Sequence, residues 1–132
     1  MKRQSFLRGT VATLVLLAAP LPTFAAATDY AFEPVKVDVK NGKGSTLAVK
    51  LVHKPTGKPV EGAVLFRTRL DMSPDKMGDM LAKHAAMPTT EPGVYSFTAD
   101  LTMAGGWAFK VQAKVPGEAE TVEGTVVFQA RD

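Results

Sequence analysis

Gly105-Gly106-Trp107-Ala108-Phe109-Lys110-Val111-Gln112-Ala113-Lys114 decides the fold. Trp107, Phe109, Val111 and Ala113 fall in one phase, and Lys110, Gln112 and Lys114 in the other. A period of two belongs to a strand with one face in a core and one in water. The same pattern extends in both directions. Towards the N-terminus, Val94-Tyr95-Ser96-Phe97-Thr98-Ala99 alternates after a Pro92-Gly93 turn. Further back, Val64, Phe66, Thr68 and Leu70 share a phase opposite Arg67, Arg69 and Asp71. Leu47, Val49 and Leu51 form another run, and Val35, Val37 and Val39 alternate with Lys36, Asp38 and Lys40. Towards the C-terminus, Pro116-Gly117 is a turn, and Val122 to Phe128 closes the series. Turn signals sit at Asn41-Gly42-Lys43-Gly44 and at Pro55 to Pro59. Short alternating strands punctuated in this way predict an all-β, Ig-like antiparallel β-sandwich of about seven strands.

The first 27 residues read as a cleaved secretory signal peptide. Lys2, Arg3 and Arg8 precede the apolar run Val11 to Ala19, Pro20 and Pro22 break that run, and Ala25, Ala26 and Ala27 supply small residues for cleavage. The expected organisation is therefore a signal over 1–27 and one domain over 28–132. The expected location is periplasmic, with no stable membrane insertion after cleavage, because the apolar run is short for a span. Of the 16 Lys and Arg, three lie in the signal, which leaves 13 against 13 Asp and Glu from Thr28 onward. A balanced, interspersed set gives no basis for nucleic-acid binding. There is no cysteine, so disulfides, thiolate metal sites and cysteine nucleophiles are all excluded.

One segment departs from the alternation. Met72, Met77, Met80 and Met87 fall within sixteen residues, with His84 among them, and the remaining methionine past the signal is Met103. Ser73-Pro74-Asp75 is a helix start, whereas Gly78 weakens a longer helix. If the segment is helical, Met77, Met80, His84 and Met87 span an arc of about 80°. If it is instead a loop leading into a strand near 82–88, Met87 points away from His84. The expectation is a Met-rich loop or short helical turn after the third strand, followed by an irregular strand. Thioether and imidazole are soft to borderline donors, the only ones a chain without thiols offers to Cu(I) or Ag(I). Met77, Met80, His84, Met87 and Met103 are the candidate ligands, with Met72 second. The competing reading is methionine as core filler. Met72 continues the phase of Leu70, and His53 reads as a surface residue. Asp71, Asp75 and Asp79 lack the glycine-centred loop of a calcium site and read as a solvated face. No nucleophile elbow, phosphate-binding glycine loop or zinc-spaced histidine pair is present, so an enzyme is not expected and no organic cofactor is implied.

Over residues 46–129 the chain resembles the FixH/YtkA-like family of exported Ig-like domains. The resemblance is carried by Gly57-Lys58-Pro59-Val60-Glu61-Gly62-Ala63-Val64, the Met/His stretch 72–87, Gly93-Val94-Tyr95-Ser96-Phe97 and Leu101-Thr102-Met103-Ala104-Gly105-Gly106-Trp107. It implies that Met103 and the 72–87 loop meet at one end of the sandwich. It also implies a setting in copper handling, tripartite heavy-metal efflux or cytochrome oxidase assembly. The partner would be a periplasmic efflux adaptor or a copper chaperone. FixH proper carries a long anchoring helix that this sequence lacks, which favours a soluble periplasmic role. Two functions follow as expectations: capture and transfer of Cu(I) or Ag(I), or a metal-free accessory domain of an efflux or oxidase-assembly system.

Overall fold

Alternation becomes burial along the long strands. A computed structural model describes residues 27–132, so the signal-peptide reading lies outside the described residues. The strands are β1 (Tyr30–Pro34), β2 (Asp38–Lys40), β3 (Gly42–His53), β4 (Lys58–Pro59), β5 (Val64–Met72), β6 (Met77–Leu81), β7 (His84–Met87), β8 (Val94–Leu101), β9 (Gly105–Lys114) and β10 (Val122–Arg131). Among the described residues the helical elements are two 3₁₀ turns, Ala27–Asp29 and Ser73–Asp75.

One sheet runs β1-β3-β8-β7, with β4 on β3, and the other runs β2-β10-β9-β5-β6. All pairings are antiparallel except that of β2 with β10. The all-β sandwich is therefore as expected, with ten strands instead of about seven. The additional strands are short, and sequence periodicity does not register pieces of two to five residues.

Leu47, Val49, Phe97, Leu101, Trp107, Phe109, Val111, Val126 and Phe128 are buried in one cluster between the sheets. They are the apolar phases read from the sequence. Each large side chain removed from water contributes about 1.5–3 kcal/mol. Phe32 of β1 lies across β10, where a Cβ on Gly124 would come within 2.5 Å of its ring. Only glycine admits that approach, and it closes this side of the sandwich.

Two strand readings are corrected. Val35, Val37 and Val39 were expected in one strand, but the chain changes sheets there. The Val35 N–H donates to the Ala48 carbonyl of the first sheet (3.0 Å), and the Val37 carbonyl accepts from Gln129 of the second (2.9 Å). Val35 and Val37 are exposed as a result. Along β5, Leu65 pairs with Ala113 but Arg67 pairs with Gln112, so Phe66 is an extra residue in a β-bulge. Leu65 packs against the core instead, and Phe66 is 49% exposed.

Candidate thioether rim

The methionine stretch neither forms a longer helix nor stays in one sheet. Pro74 sits in a single 3₁₀ turn, Ser73–Asp75, with no side-chain cap. The Lys76 N–H donates to the Ser73 carbonyl (3.0 Å), and Lys76 takes a left-handed φ of 61°. The chain then pairs with β5 as β6, Met77 opposite Met72 and Leu81 opposite Asp71. Four steps on β6 match one step on β5, so residues 78–80 bow outward. The Ala82 N–H donates to the Leu70 carbonyl (3.0 Å), and the Lys83 carbonyl accepts from Asp100 (2.9 Å). Those two bonds carry the chain from the second sheet to the first, where β7 pairs with β8.

This crossing separates the expected ligands. Met87 lies opposite Ser96, and Met103 lies beyond Leu101 at the far end of the same strand. Five strand residues span about 16 Å, more than two thioether side chains can bridge to one ion. Met72 is 0% exposed and belongs to the core, so its core reading holds.

His84 is also committed. Its Nδ1 lies 3.1 Å from the Ala82 carbonyl and its Nε2 lies 2.6 Å from the Thr68 hydroxyl. A carbonyl only accepts, so Nδ1 donates to Ala82, while Nε2 shares a hydrogen bond with the Thr68 hydroxyl. The ring stands edge-on to Phe109 at 5.6 Å. Both ring nitrogens are thus occupied, and a metal at Nε2 would have to displace Thr68. The helical projection that put Met77, Met80, His84 and Met87 on one face fails because the segment is extended and split.

Met77, Met80 and Met103 do share one end of the sandwich. The Gly106 N–H donates to Asp75 Oδ2 (3.0 Å), which docks the 73–75 turn on the corner before β9. The indole N–H of Trp107 donates to the Met103 carbonyl (3.0 Å), which fixes that corner from below. A Cβ on Gly105 would meet Asp75 Oδ2 at 2.3 Å and the Met72 methyl at 2.9 Å, and its φ is +137°. Glycine is therefore required where turn and corner touch. Met80 and Met103 are 38% and 39% exposed, and Met77 is half-buried against the core. Leu81, 56% exposed, shares a cleft of about 500 Å³ with Leu101, Thr102 and Lys43.

Sequence reasoning missed Asp71. It was expected on a solvated face with Asp75 and Asp79, and it is fully buried. Arg69 Nε lies 2.8 Å and Lys110 Nζ 3.1 Å from Oδ2, and the Ser73 N–H donates to Oδ1 (3.0 Å). Burial by itself raises the carboxyl's pKa. The Ser73 and Arg69 hydrogen bonds, with Lys110, outweigh burial and hold it well below the usual carboxylate range. Arg69 also donates to the Gly78 carbonyl (3.0 Å), which anchors the bowed 78–80 segment. The available signal was an Arg two residues earlier on the same strand face. His53, expected on the surface, is half-buried at the end of β3, its ring tilted against that of Tyr30 (centroids 5.2 Å apart) and its Nδ1 2.8 Å from the Thr56 hydroxyl.

Among the described residues no group of three His, Asp or Glu side chains could hold a metal ion. A metal at this rim would rest on sulfur. The profile of the YtkA-like family matches residues 24–112. The chain belongs to the YtkA-like family. Among curated proteins none matches this YtkA-like chain in sequence. Among solved structures it is similar to the Yersinia pseudotuberculosis adhesin InvE, with TM-score 0.45 and 14% identity over 80% of this chain and 27% of that one. The ZirS C-terminal domain gives TM-score 0.44 and 12% identity over 81% of this chain and 68% of that one. The YtkA-like chain thus spans about a quarter of the InvE chain.

Proposed function

We propose that this YtkA-like chain is an exported, non-enzymatic accessory domain that binds Cu(I) or Ag(I) at the rim formed by Met77, Met80 and Met103. The observation supporting this reading is the Asp75–Gly106 hydrogen bond, which brings the Met77 strand and the Met103 corner to one end. Thioethers bind soft monovalent ions without losing a proton, so capture would vary little with pH. Ligands on a bowed strand and a loop suit an ion that is passed on. The recipient in this reading is a periplasmic efflux adaptor or a copper chaperone. His84 and Met87 leave the ligand set, and Met72 supports the rim from beneath.

The test is Ag(I) titration followed by NMR of methionine methyl groups. Saturable shifts at Met77, Met80 and Met103, with Met87 unmoved and binding lost in the triple Leu variant, support the site. Absence of saturable binding, or binding unchanged in that variant, refutes it.

The metal-free accessory reading is favoured by Leu81. An exposed leucine between methionines suits an adaptable protein contact and does nothing for a metal. It predicts no rise in melting temperature with Ag(I), where linkage requires one for a site that binds only the folded state.

A further inference from the structure

The other end of β5 carries a second surface, independent of the thioether rim. Phe66 lies six residues before Met72, about 20 Å along the strand. The bulge turns this aromatic side chain into solvent beside Val64, which is 61% exposed. Bulges re-aim side chains, often at functional surfaces. Across the outer face, Val64 pairs with Lys114, Arg67 with Gln112 and Arg69 with Lys110. A cleft of about 430 Å³ opens between Arg67, Arg69, Lys110, Gln112, Glu123 and Thr125.

Four cations stand here against buried Asp71 and Glu123, so the patch is positive by two charges in a chain balanced from Thr28 onward. Asp71 engages Arg69 and Lys110, and Gln112 donates to Glu123 (3.0 Å). Among the described residues Arg67 and Lys114 make no ion pair. β6 pairs with β5 only at Asp71 and Met72, so from Val64 to Arg69 the far edge of β5 carries no strand among the described residues. On its inner side lies an apolar groove of about 280 Å³ lined by Ala63, Leu65, Ala86, Met87 and Phe97.

We infer that this edge and outer face dock an extended segment of a partner protein in which acidic and apolar residues alternate. One phase of such a segment meets Arg67 and Lys114, and the other meets Leu65 and Met87. Phe66 supplies an aromatic anchor beside an arginine, the pairing enriched where binding energy concentrates.

The experiment is amide NMR of the isotope-labelled protein titrated with a peptide of alternating Asp and Leu. Its controls are the Lys–Leu peptide and phosphatidylglycerol vesicles. The expected result is saturable shifts confined to residues 64–69, 86–87 and 110–114, weakened at least about tenfold by Arg67→Glu with Lys114→Glu. Phe66→Ser weakens binding with an unchanged melting temperature, because Phe66 is exposed. Absence of shifts, equal binding of the Lys–Leu peptide, indifference to the charge reversals, or a response to vesicles alone overturns the inference. The Ag(I) titration reads only the opposite end, so either reading can fail without the other.

Discussion

The two halves of the methionine stretch both carry soft donor side chains and meet different fates. Met72 to Leu81 belongs to the β5–β6 side of one sheet, and His84 to Met87 belongs to the edge of the other. Two hydrogen bonds, Ala82 to Leu70 and Asp100 to Lys83, make the division. Side chains three to four residues apart converge only if the backbone between them is helical. Here it is extended, and a crossing of two residues, Ala82 and Lys83, places Met80 and Met87 in different sheets. Proximity in sequence predicts a shared site only after the backbone state is known.

That contrast can be broken or sharpened by measurement, and the largest effect is expected at Met72. Met72→Ala opens a cavity in the core and should destabilise the domain by about 2–5 kcal/mol. Met80→Ala on the bowed segment should stay within about 0.5 kcal/mol. Comparable losses in chemical denaturation would show that the segment is packed throughout.

Next comes Asp71, the charge that holds the first half together. Asp71→Asn should cost about 2 kcal/mol, because Arg69 and Lys110 lose a charged acceptor. The folded pKa lies below the unfolded one, so this stabilisation is complete above the unfolded value. It fades as pH falls below about 5 towards the folded value. Melting curves of the wild type should therefore converge on those of the variant in acid, and a gap independent of pH would contradict the assignment.

A smaller loss, about 1–2 kcal/mol, is expected for His84→Ala, from the Thr68 hydrogen bond and the edge contact with Phe109. Its Ag(I) affinity should match the wild type. A clear drop in affinity would return His84 to the ligand set. Smallest of all, Met87→Leu should alter neither stability beyond about 0.5 kcal/mol nor silver binding. Met103→Leu should leave stability equally unchanged and weaken binding.

The long strands were legible because one face of each is packed: Trp107, Phe109 and Val111 are buried in the phase their spacing announces. The short helical turn was legible from Ser73-Pro74-Asp75. The bulge at Phe66 was not, because periodicity alone cannot show that one residue has been inserted, and every later side chain still alternates. The division of 77–87 was hidden for a related reason. Ala82 and Lys83 carry no turn chemistry, and the crossing is held by backbone bonds to Leu70 and Asp100, residues remote in sequence. His84 was readable as a donor, but its donors' occupants, Thr68 and Ala82, were not.

The parallel pairing of β2 with β10 has one more consequence. β10 lies between β2 and β9, so a strand laid down among the first waits for residues 129–131 before it has a neighbour. A polypeptide emerging from its amino end can assemble early hairpins, but it cannot complete this sheet until the tenth strand is free. Such long-range closure is slow. The β2 edge is therefore the last part of this sheet to close.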